Sequence, residues 1–397
     1  MKQICVLGLG YIGLPTSSIL AAKGFTVLGV DVNPQVVETI NKGQIHITEP
    51  DLDLFVKAAV GSGKLRAAIA PEPSDVFIIA VPTPFKEGHK ADMSFVEAAT
   101  RAIIPVLKPG NLVILESTSP PQTCTKIIAP ILAKAGLTAG REVFLAHCPE
   151  RVLPGQIMRE VVENDRIIGG ITPECAARAK ELYGSFTKGQ IFLTDATTAE
   201  MAKLVENSFR DVNIAFANEL SIICEKLGLN VWELISLANR HPRVRILRPG
   251  PGVGGHCIAV DPWFIVEACP DEARLIRAAR TVNDDKPHHV VRKIKAAAEK
   301  FKRPVIGLLG LSYKQDIDDL RESPAVEIAH AVQKANLGEV LVCEPFVPRH
   351  PDFVLHPLDE VVRRADIVVL LVPHTQFKAV DRELLKPKIV IDTCGIW

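Results

Sequence analysis

Residues 4–13 read Ile-Cys-Val-Leu-Gly-Leu-Gly-Tyr-Ile-Gly. An apolar run from Lys2 to Leu7 has the length of a short buried strand, and Gly8, Gly10 and Gly13 follow it in the spacing G-x-G-x-x-G. Leu14 to Lys23 then reads as a helix stopped by Gly24, and Phe25 to Val30 as a second strand closed by Asp31. Strand, glycine turn, helix and strand are the setting in which that spacing carries chemistry. Gly8 makes the tight turn, Gly10 lets a pyrophosphate approach the backbone, and Gly13 lets helix and strand pack closely. The helix N-terminus offers unpaired N–H groups to phosphate. Asp31 is placed to accept hydrogen bonds from the adenosine ribose. Val32 and Asn33 supply no arginine for a 2′-phosphate. The stretch predicts a site for NAD rather than NADP.

The pattern continues outward. Strand-like runs recur at Asp75–Val81, Leu112–Leu115 and Val143–Ala146, with helices between them, one opened by a Ser94/Glu97 capping box. Alternation of this kind predicts a parallel doubly wound sheet, whose ligands gather at the strand C-terminal ends. Those ends carry Val81-Pro82-Thr83, Glu116-Ser117-Thr118 and His147-Cys148-Pro149-Glu150, which makes Thr83, Thr118 and Glu150 candidates by position, Glu150 as a catalytic group. The order then repeats near the other end of the chain. Residues 304–311, PVIGLLGL, match ICVLGLG; Asp366-IVVLLVPHTQF matches Asp75-VFIIAVPTPF; and Ile389-VIDT matches Val113-ILEST. Gly307 and Gly310 have no partner equivalent to Gly13, so this second sheet is expected to bind something other than a dinucleotide, such as a nucleotide sugar.

Between the two halves, a Thr197/Glu200 capping box opens a periodic run from Thr198 to Leu227 that ends at Gly228. A helix of that length spans about 45 Å at 1.5 Å per residue. Lys203, Asn207 and Arg210 share one of its faces. Asn207, Asn213 and Asn218 are indifferent helix formers in it. Beyond lie His241, Arg243, Arg245 and Arg248, a basic cluster suited to clamping a phosphorylated or carboxylated ligand. Then comes Gly250 to Pro262, GPGVGGHCIAVDP, which places His256 and Cys257 after four glycines and Asp261 four residues on. The expected fold is α/β, with two Rossmann-like doubly wound domains joined by a long central helix and a helical middle domain. The expected bounds are residues 1–195, 196–300 and 301–397, with a linker at Asn283–Pro287 and the helix after it.

A thiolate is a strong nucleophile. With NAD in one domain and a nucleotide-like site in another, Cys257 suits a two-step oxidation. A primary alcohol becomes an aldehyde, the thiolate traps it as a thiohemiacetal, a second hydride loss gives a thioester, and water releases a carboxylate. Lys203 and Asn207 would stabilise the oxyanion, with Asp261 moving protons or positioning water.

Bulk properties exclude other classes. Lysine plus arginine equals aspartate plus glutamate, 46 each, so no global field draws the chain to nucleic acid or an anionic membrane. With 5% aromatic residues there is little to stack bases on. No run of 18 apolar residues and no N-terminal signal sequence is visible, and nine scattered cysteines without a C-x-x-C pair predict a reducing cytoplasm. His147/Cys148 and His256/Cys257 are adjacent pairs, a poor zinc spacing, so no metal is expected.

Together, GLGYIG, STSPP, HCPERVLPG, the Lys203/Asn207 helix and GPGVGGHCIAVDP resemble the UDP-glucose/UDP-mannuronic acid dehydrogenase family over essentially the whole chain. Glucose enzymes of that family have phenylalanine and serine where this chain has Val253 and His256, and proline-lysine at Ala259-Val260. N-acetylglucosamine enzymes have Pro-Ile at the latter two. The loop resembles most the branch that oxidises UDP-N-acetyl-D-mannosamine; oxidation of UDP-N-acetylglucosamine or UDP-glucose is the alternative, and a one-step β-hydroxyacid dehydrogenase or a non-catalytic nucleotide-sugar binder the more remote one. The resemblance implies an NAD domain, a central domain that makes a homodimer or higher homo-oligomer, and a UDP-sugar domain. It implies Cys257 as nucleophile and Lys203 as proton donor or acceptor. Tyr11, Ile12, Asp31, Thr83 and Thr118 would contact NAD, and Arg321 would reach it from a partner domain or subunit. Arg151, Val152, Lys203, Asn207, Arg210, His241, Arg243, Gly254, Tyr313 and Lys314 would contact the sugar nucleotide.

Overall fold

A computed structural model describes residues 3–255 and 257–397. Lys2, read as the start of the first strand, and His256, the neighbour of Cys257, lie outside the described residues. The chain divides into two compact units, Met1–Val205 and Glu206–Trp397.

The first unit is built on a sheet of β1 (Gln3–Leu7), β2 (Thr26–Val30), β3 (Leu65–Ala68), β4 (Val76–Ile79), β5 (Leu112–Leu115), β6 (Phe144–His147), β7 (Arg166–Gly170) and β8 (Ile191–Asp195). Their order in space is β8-β7-β6-β5-β4-β1-β2-β3. All pairings are parallel except β6 with β7. β1, β4 and β5 are continuous apolar runs because helices cover both faces of the sheet. Ile4, Val6, Ile78 and Ile114 point into one core, and Cys5, Leu7, Phe77, Ile79, Val113 and Leu115 into the other. The strand order reverses between β1 and β4, where such sheets take their ligands.

In the second unit, helices Val231–Ala238, Asp261–Ala268 and Arg274–Ala298 precede a second sheet. Its strands are β9 (Val305–Leu309), β10 (Glu339–Cys343), β11 (Ile367–Leu370) and β12 (Ile389–Asp392), all parallel, in the order β10-β9-β11-β12. The protein is therefore α/β with two Rossmann-like sheets, as expected, and the long helix is present from Ala196 to Leu227.

Three local expectations fail. The expected linker Asn283–Pro287 is the interior of the 25-residue helix Arg274–Ala298. Asn283, Lys286 and Pro287 are buried there, and tertiary packing overrides the helix-breaking tendency of proline. The Ser94/Glu97 box does not form; Asp92 Oδ1 accepts the Ser94 N–H at 3.0 Å instead. Asp195 likewise caps the long helix, accepting the Thr198 N–H at 2.9 Å, while Glu200 turns away to accept the N–H groups of Gln122 and Cys124 at 2.6 and 2.8 Å.

Candidate active site

At the C-terminal end of the first sheet, Gly8 has φ +91°, and a Cβ on it would lie 2.5 Å from the Ala80 carbonyl oxygen. A Cβ on Gly13 would lie 1.9 Å from the Gly8 carbonyl oxygen. These two glycines are demanded by the protein's own backbone. Gly10 is different: a Cβ there would meet nothing within 4 Å. The space beside it is open to a ligand, and Tyr11 and Ile12 follow at the start of the helix Gly13–Ala22. Asp31 is anchored at the turn, with Oδ2 accepting the Leu9 N–H at 3.1 Å and Oδ1 the Asn33 N–H at 2.9 Å. Thr83 Oγ1 donates to the Thr118 carbonyl at 2.7 Å, which ties the loops after β4 and β5 together beside the reversal point. These residues fit a dinucleotide.

Glu150, Arg151 and Val152 leave β6 beside a buried ion pair. Glu150 Oε1 accepts the Arg151 N–H at 2.9 Å and its Oε2 accepts Arg166 Nη2 at 2.9 Å; Arg166 is 3% exposed. The Arg151 guanidinium bonds the Asp165 carbonyl at 2.6 Å, and Val152 packs on the core. Nearby, Tyr183 donates to Glu116 at 2.6 Å. Burial, with the Glu150 charge added, pushes the Glu116 carboxyl up to about 7. Cys124, His147 and Glu200 bring three possible metal-ligand atoms within 4.8 Å of one another. Both Glu200 oxygens are already taken by N–H groups, so that cluster reads as a cap on the segment that starts at Gln122.

In the second unit the cysteine loop lies against the long helix and the stretch 313–322. Cys257 is exposed and is a thiol, whereas seven of the nine cysteines are buried. Its carbonyl accepts the Val260 and Asp261 N–H groups at 3.2 and 2.9 Å, a turn that leads into the helix Asp261–Ala268. Asp261 is 4% exposed, and its Oδ2 accepts Asn207 Nδ2 at 2.5 Å. The loop is thereby fixed to the long helix, where Lys203 and Asn207 are half-buried and Arg210 exposed. On another side, Gly255 N–H donates to the Arg321 carbonyl at 3.3 Å, and the Tyr313 ring lies against Gly255. A Cβ on Gly254 would lie 2.4 Å from the Glu322 carbonyl oxygen, so this glycine is needed for loop packing before any ligand arrives. Burial, with the Asp319 and Cys257 charges beside it, holds the Tyr313 phenol above its ordinary pKa, which keeps it a proton donor. The Arg321 guanidinium reaches back to Asp319. Lys314, His241 and Arg243 are exposed. Arg248 does not join a clamp: it bonds the Cys394 and Gly395 carbonyls at 3.2 and 2.9 Å and lies over the Trp232 ring.

Models of the UDP-glucose/GDP-mannose dehydrogenase family match the chain in three parts: the NAD binding domain over residues 2–187, the central domain over 197–285 and the UDP binding domain over 307–397. The chain belongs to this family. It is a dehydrogenase that uses NAD, and it carries the family's UDP binding domain. It is 57% identical to the NDP-N-acetyl-D-galactosaminuronic acid dehydrogenase of Ralstonia nicotianae, over all of this chain and 96% of that protein. It is 54% identical to the UDP-N-acetyl-D-mannosamine dehydrogenase of Escherichia coli K12, over 99% of both. It also superposes on the structure of UDP-D-ManNAc dehydrogenase from Pyrococcus horikoshii with a TM-score of 0.91 at 42% identity, covering all of this chain and 96% of that one. Among the described residues, no helix of this dehydrogenase is long and apolar enough to cross a membrane.

Two groups of residues escaped the sequence reading. Asp211, Arg280 and Asn283 form a buried polar network behind the cysteine loop, signalled in the sequence only by asparagines inside a helix. Glu344 and His374 form a buried pair in the second sheet, and only the strand-end position of the glutamate hinted at it.

Proposed function

We propose that this dehydrogenase oxidises C6 of a UDP-N-acetylhexosamine, UDP-N-acetyl-D-mannosamine, to the carboxylate, giving UDP-N-acetyl-D-mannosaminuronate. The observation that carries the proposal is the exposed Cys257 thiol on a loop bonded to Asn207 through Asp261. NAD, when bound, would supply the hydride acceptor for both oxidations, one equivalent for each. Lys203 takes the proton of the C6 hydroxyl in the first oxidation. Cys257 thiolate then adds to the aldehyde carbon, and the resulting thiohemiacetal is held through the second oxidation. Asn207 and Lys203 donate to the oxyanion, and Asp261 orients the Asn207 amide. Water attacks the thioester carbon and its bond to Cys257 Sγ breaks, giving the carboxylate and the thiol and releasing one proton to solvent. Glu150 keeps the start of the Arg151–Val152 segment in place through its ion pair with Arg166. Arg151, Val152, Arg210, His241, Arg243, Gly254, Tyr313 and Lys314 hold the sugar nucleotide. Gly8, Gly10, Tyr11, Ile12, Gly13, Asp31, Thr83, Thr118 and Arg321 hold the cofactor.

The same reading assigns residues 1–195, 196–300 and 301–397 to NAD, central and UDP-sugar domains, and places the enzyme in the cytoplasm. Homodimerisation through the long helix is supported by Phe209, Phe216 and Ile223, which are 70, 53 and 44% exposed at a spacing of seven residues, with Leu227 beside them. A Phe209→Glu variant is expected to run as a monomer in light scattering.

A second reading, an N-acetylgalactosamine nucleotide as substrate, is favoured by the 57% identity to the Ralstonia protein. Parallel assays with UDP-N-acetylmannosamine, UDP-N-acetylgalactosamine, UDP-N-acetylglucosamine and UDP-glucose decide between them. Two NADH per sugar oxidised are expected, and one per sugar would refute the two-step route. Cys257→Ser is expected to lower kcat by roughly 10³-fold or more while NAD affinity holds. Full turnover by that variant would end the covalent mechanism.

A further inference from the structure

We propose that Asn218 is a positioning residue for Cys257. It rests on the reading of Cys257 as the nucleophile, and it adds a residue that touches neither sugar nor cofactor. Asn218 is 0% exposed in the interior of the long helix, where asparagine contributes nothing to helix stability. Both ends of its amide are used. Oδ1 accepts the Gly250 N–H at 2.9 Å, and Nδ2 donates to Asn283 Oδ1 at 2.9 Å. Asn283 in turn donates Nδ2 to Asp211 Oδ1 at 2.8 Å and to the Asp211 carbonyl at 3.1 Å. Arg280, 1% exposed, donates to the same Asp211 Oδ1 at 2.6 Å. The chain of donors and acceptors has one direction. Arg280 and Asn283 fix the Asp211 carboxylate, the carboxylate fixes the Asn283 amide, and Asn283 leaves Asn218 only one orientation, with its oxygen toward Gly250.

Gly250 opens the cysteine loop and Asp261 closes it. Asn218 holds the first and Asn207 the second, at 2.9 and 2.5 Å. The two asparagines are eleven residues apart, which is three helical turns, so they share one face of the helix, about 16 Å apart at 1.5 Å per residue. A loop pinned at both ends to one rigid helix cannot slide its thiol along that helix. The entropy of placing Cys257 opposite the reacting carbon is therefore met in folding rather than at each turnover.

The test removes one hydrogen bond from its two ends. Asn218→Leu deletes the acceptor from the helix. Gly250→Pro deletes the donor from the loop. Pro251 already biases residue 250 toward the extended region that proline adopts, and a Cβ on Gly250 would find only the Gly252 carbonyl oxygen, at 3.9 Å. Each variant of the full chain is expected to lower kcat about tenfold with little change in KM for the sugar nucleotide or in NAD affinity. Each should also change the rate and pH profile of Cys257 alkylation by iodoacetamide, followed by peptide mass spectrometry. The double variant should be no worse than either single one, because both remove the same bond. Unchanged Cys257 alkylation and kcat in Gly250→Pro would overturn the proposal even if Asn218→Leu melts early. So would additive losses in the double variant. Alkylation needs no sugar, so a change in it without turnover of any UDP-sugar supports the clamp while refuting the functional reading.

Discussion

The two Rossmann-like sheets begin alike and then use the same turn for opposite ends. Gly8 and Gly310 have φ of +91° and +94°, and each N–H donates at 2.8 Å to the last carbonyl of the neighbouring strand, Val30 or Cys343. An acid follows that strand in both, Asp31 and Glu344. In the first sheet the helix starts at Gly13, and Asp31 spends one oxygen on the turn, at Leu9. In the second the helix waits until Pro324. The longer Glu344 side chain reaches into the turn, accepting the Leu311 and Ser312 N–H groups at 2.7 and 3.0 Å and the Phe346 N–H at 2.9 Å. His374, fully buried, lies 3.1 Å from the same Oε2. The place where the first sheet leaves room for a dinucleotide is occupied in the second by protein. What the second sheet gains is the segment 310–323, which carries Tyr313 and Arg321 to the cysteine loop. On the proposed reading, the shared scaffold turns one acid to a ligand and keeps the other for the fold.

The hardest test of that contrast is Glu344→Ala. It strands two or three buried N–H groups and the His374 ring, and should destabilise the second unit by roughly 4 kcal/mol. It should also loosen Tyr313 against Gly255 and so cut kcat, while NAD affinity, read by fluorescence titration of the first site, stays at its wild-type value. A weakened NAD site with an unchanged melting curve would mean that Glu344 is a ligand residue and that the contrast is wrong.

The glycines give a second test. Gly13→Ala forces a Cβ to within 1.9 Å of a carbonyl oxygen and should cost about 3 kcal/mol in stability along with NAD binding. Gly10→Ala has open space and should melt like the wild type, yet bind NAD at least tenfold more weakly. If both variants lose stability equally, the open side of Gly10 is not where the cofactor lies.

Much of this contrast was legible in the sequence, because glycine spacing and apolar runs are local signals. The fingerprint, the long helix and the repeat at 304–311 all follow from them. What could not be read is settled by contacts between residues far apart in the chain. Glu200 looks like a helix cap four residues from its helix start, but its carboxylate serves Gln122 and Cys124. Pro287 looks like a linker, but Asn283 and Lys286 beside it are held by Asn218 and Ser221 of the long helix, and the helix runs through. Cys257 stands out in the sequence through its glycine-rich setting, and the structure leaves it exposed. The residue that pins its loop, Asn218, was visible only as an oddity of composition.

Acidity separates the two sheets again. Glu116, at the end of β5, is raised to about 7, burial being the main cause. Burial also pushes Glu344 up, but hydrogen bonds from His374 and from the Leu311 and Phe346 N–H groups outweigh it, and its pKa falls below the ordinary value. The signs follow from proton counting. Native Glu116 holds its proton longer than the unfolded chain does, so its contribution is complete below the ordinary carboxylate pKa and is lost as pH rises toward about 7. That loss amounts to at most about 3 kcal/mol. Glu344 contributes above the ordinary carboxylate pKa, and its contribution is lost as pH falls through its lowered one. Melting curves from pH 4.5 to 8 should show Glu116→Gln gaining on the wild type as pH rises, and hydrogen exchange should locate the gain in the first unit. Parallel pH curves for the two proteins would leave Glu116 without the assigned strain.

The smallest effect, and the most direct on the contrast, belongs to Asp31→Ala. Its Oδ1 bonds the Asn33 N–H where water can replace it, and its Oδ2 bonds the N–H of buried Leu9 in a part-buried setting, so stability should fall by only about 1 kcal/mol. The ribose hydroxyls lose their acceptor, and NAD affinity should fall about tenfold, or about 1.4 kcal/mol. Calorimetric titration with NAD alone reads this without any sugar present. An unchanged Kd would make Asp31 an anchor of its own turn, as Glu344 is, and would remove the distinction between the two acids.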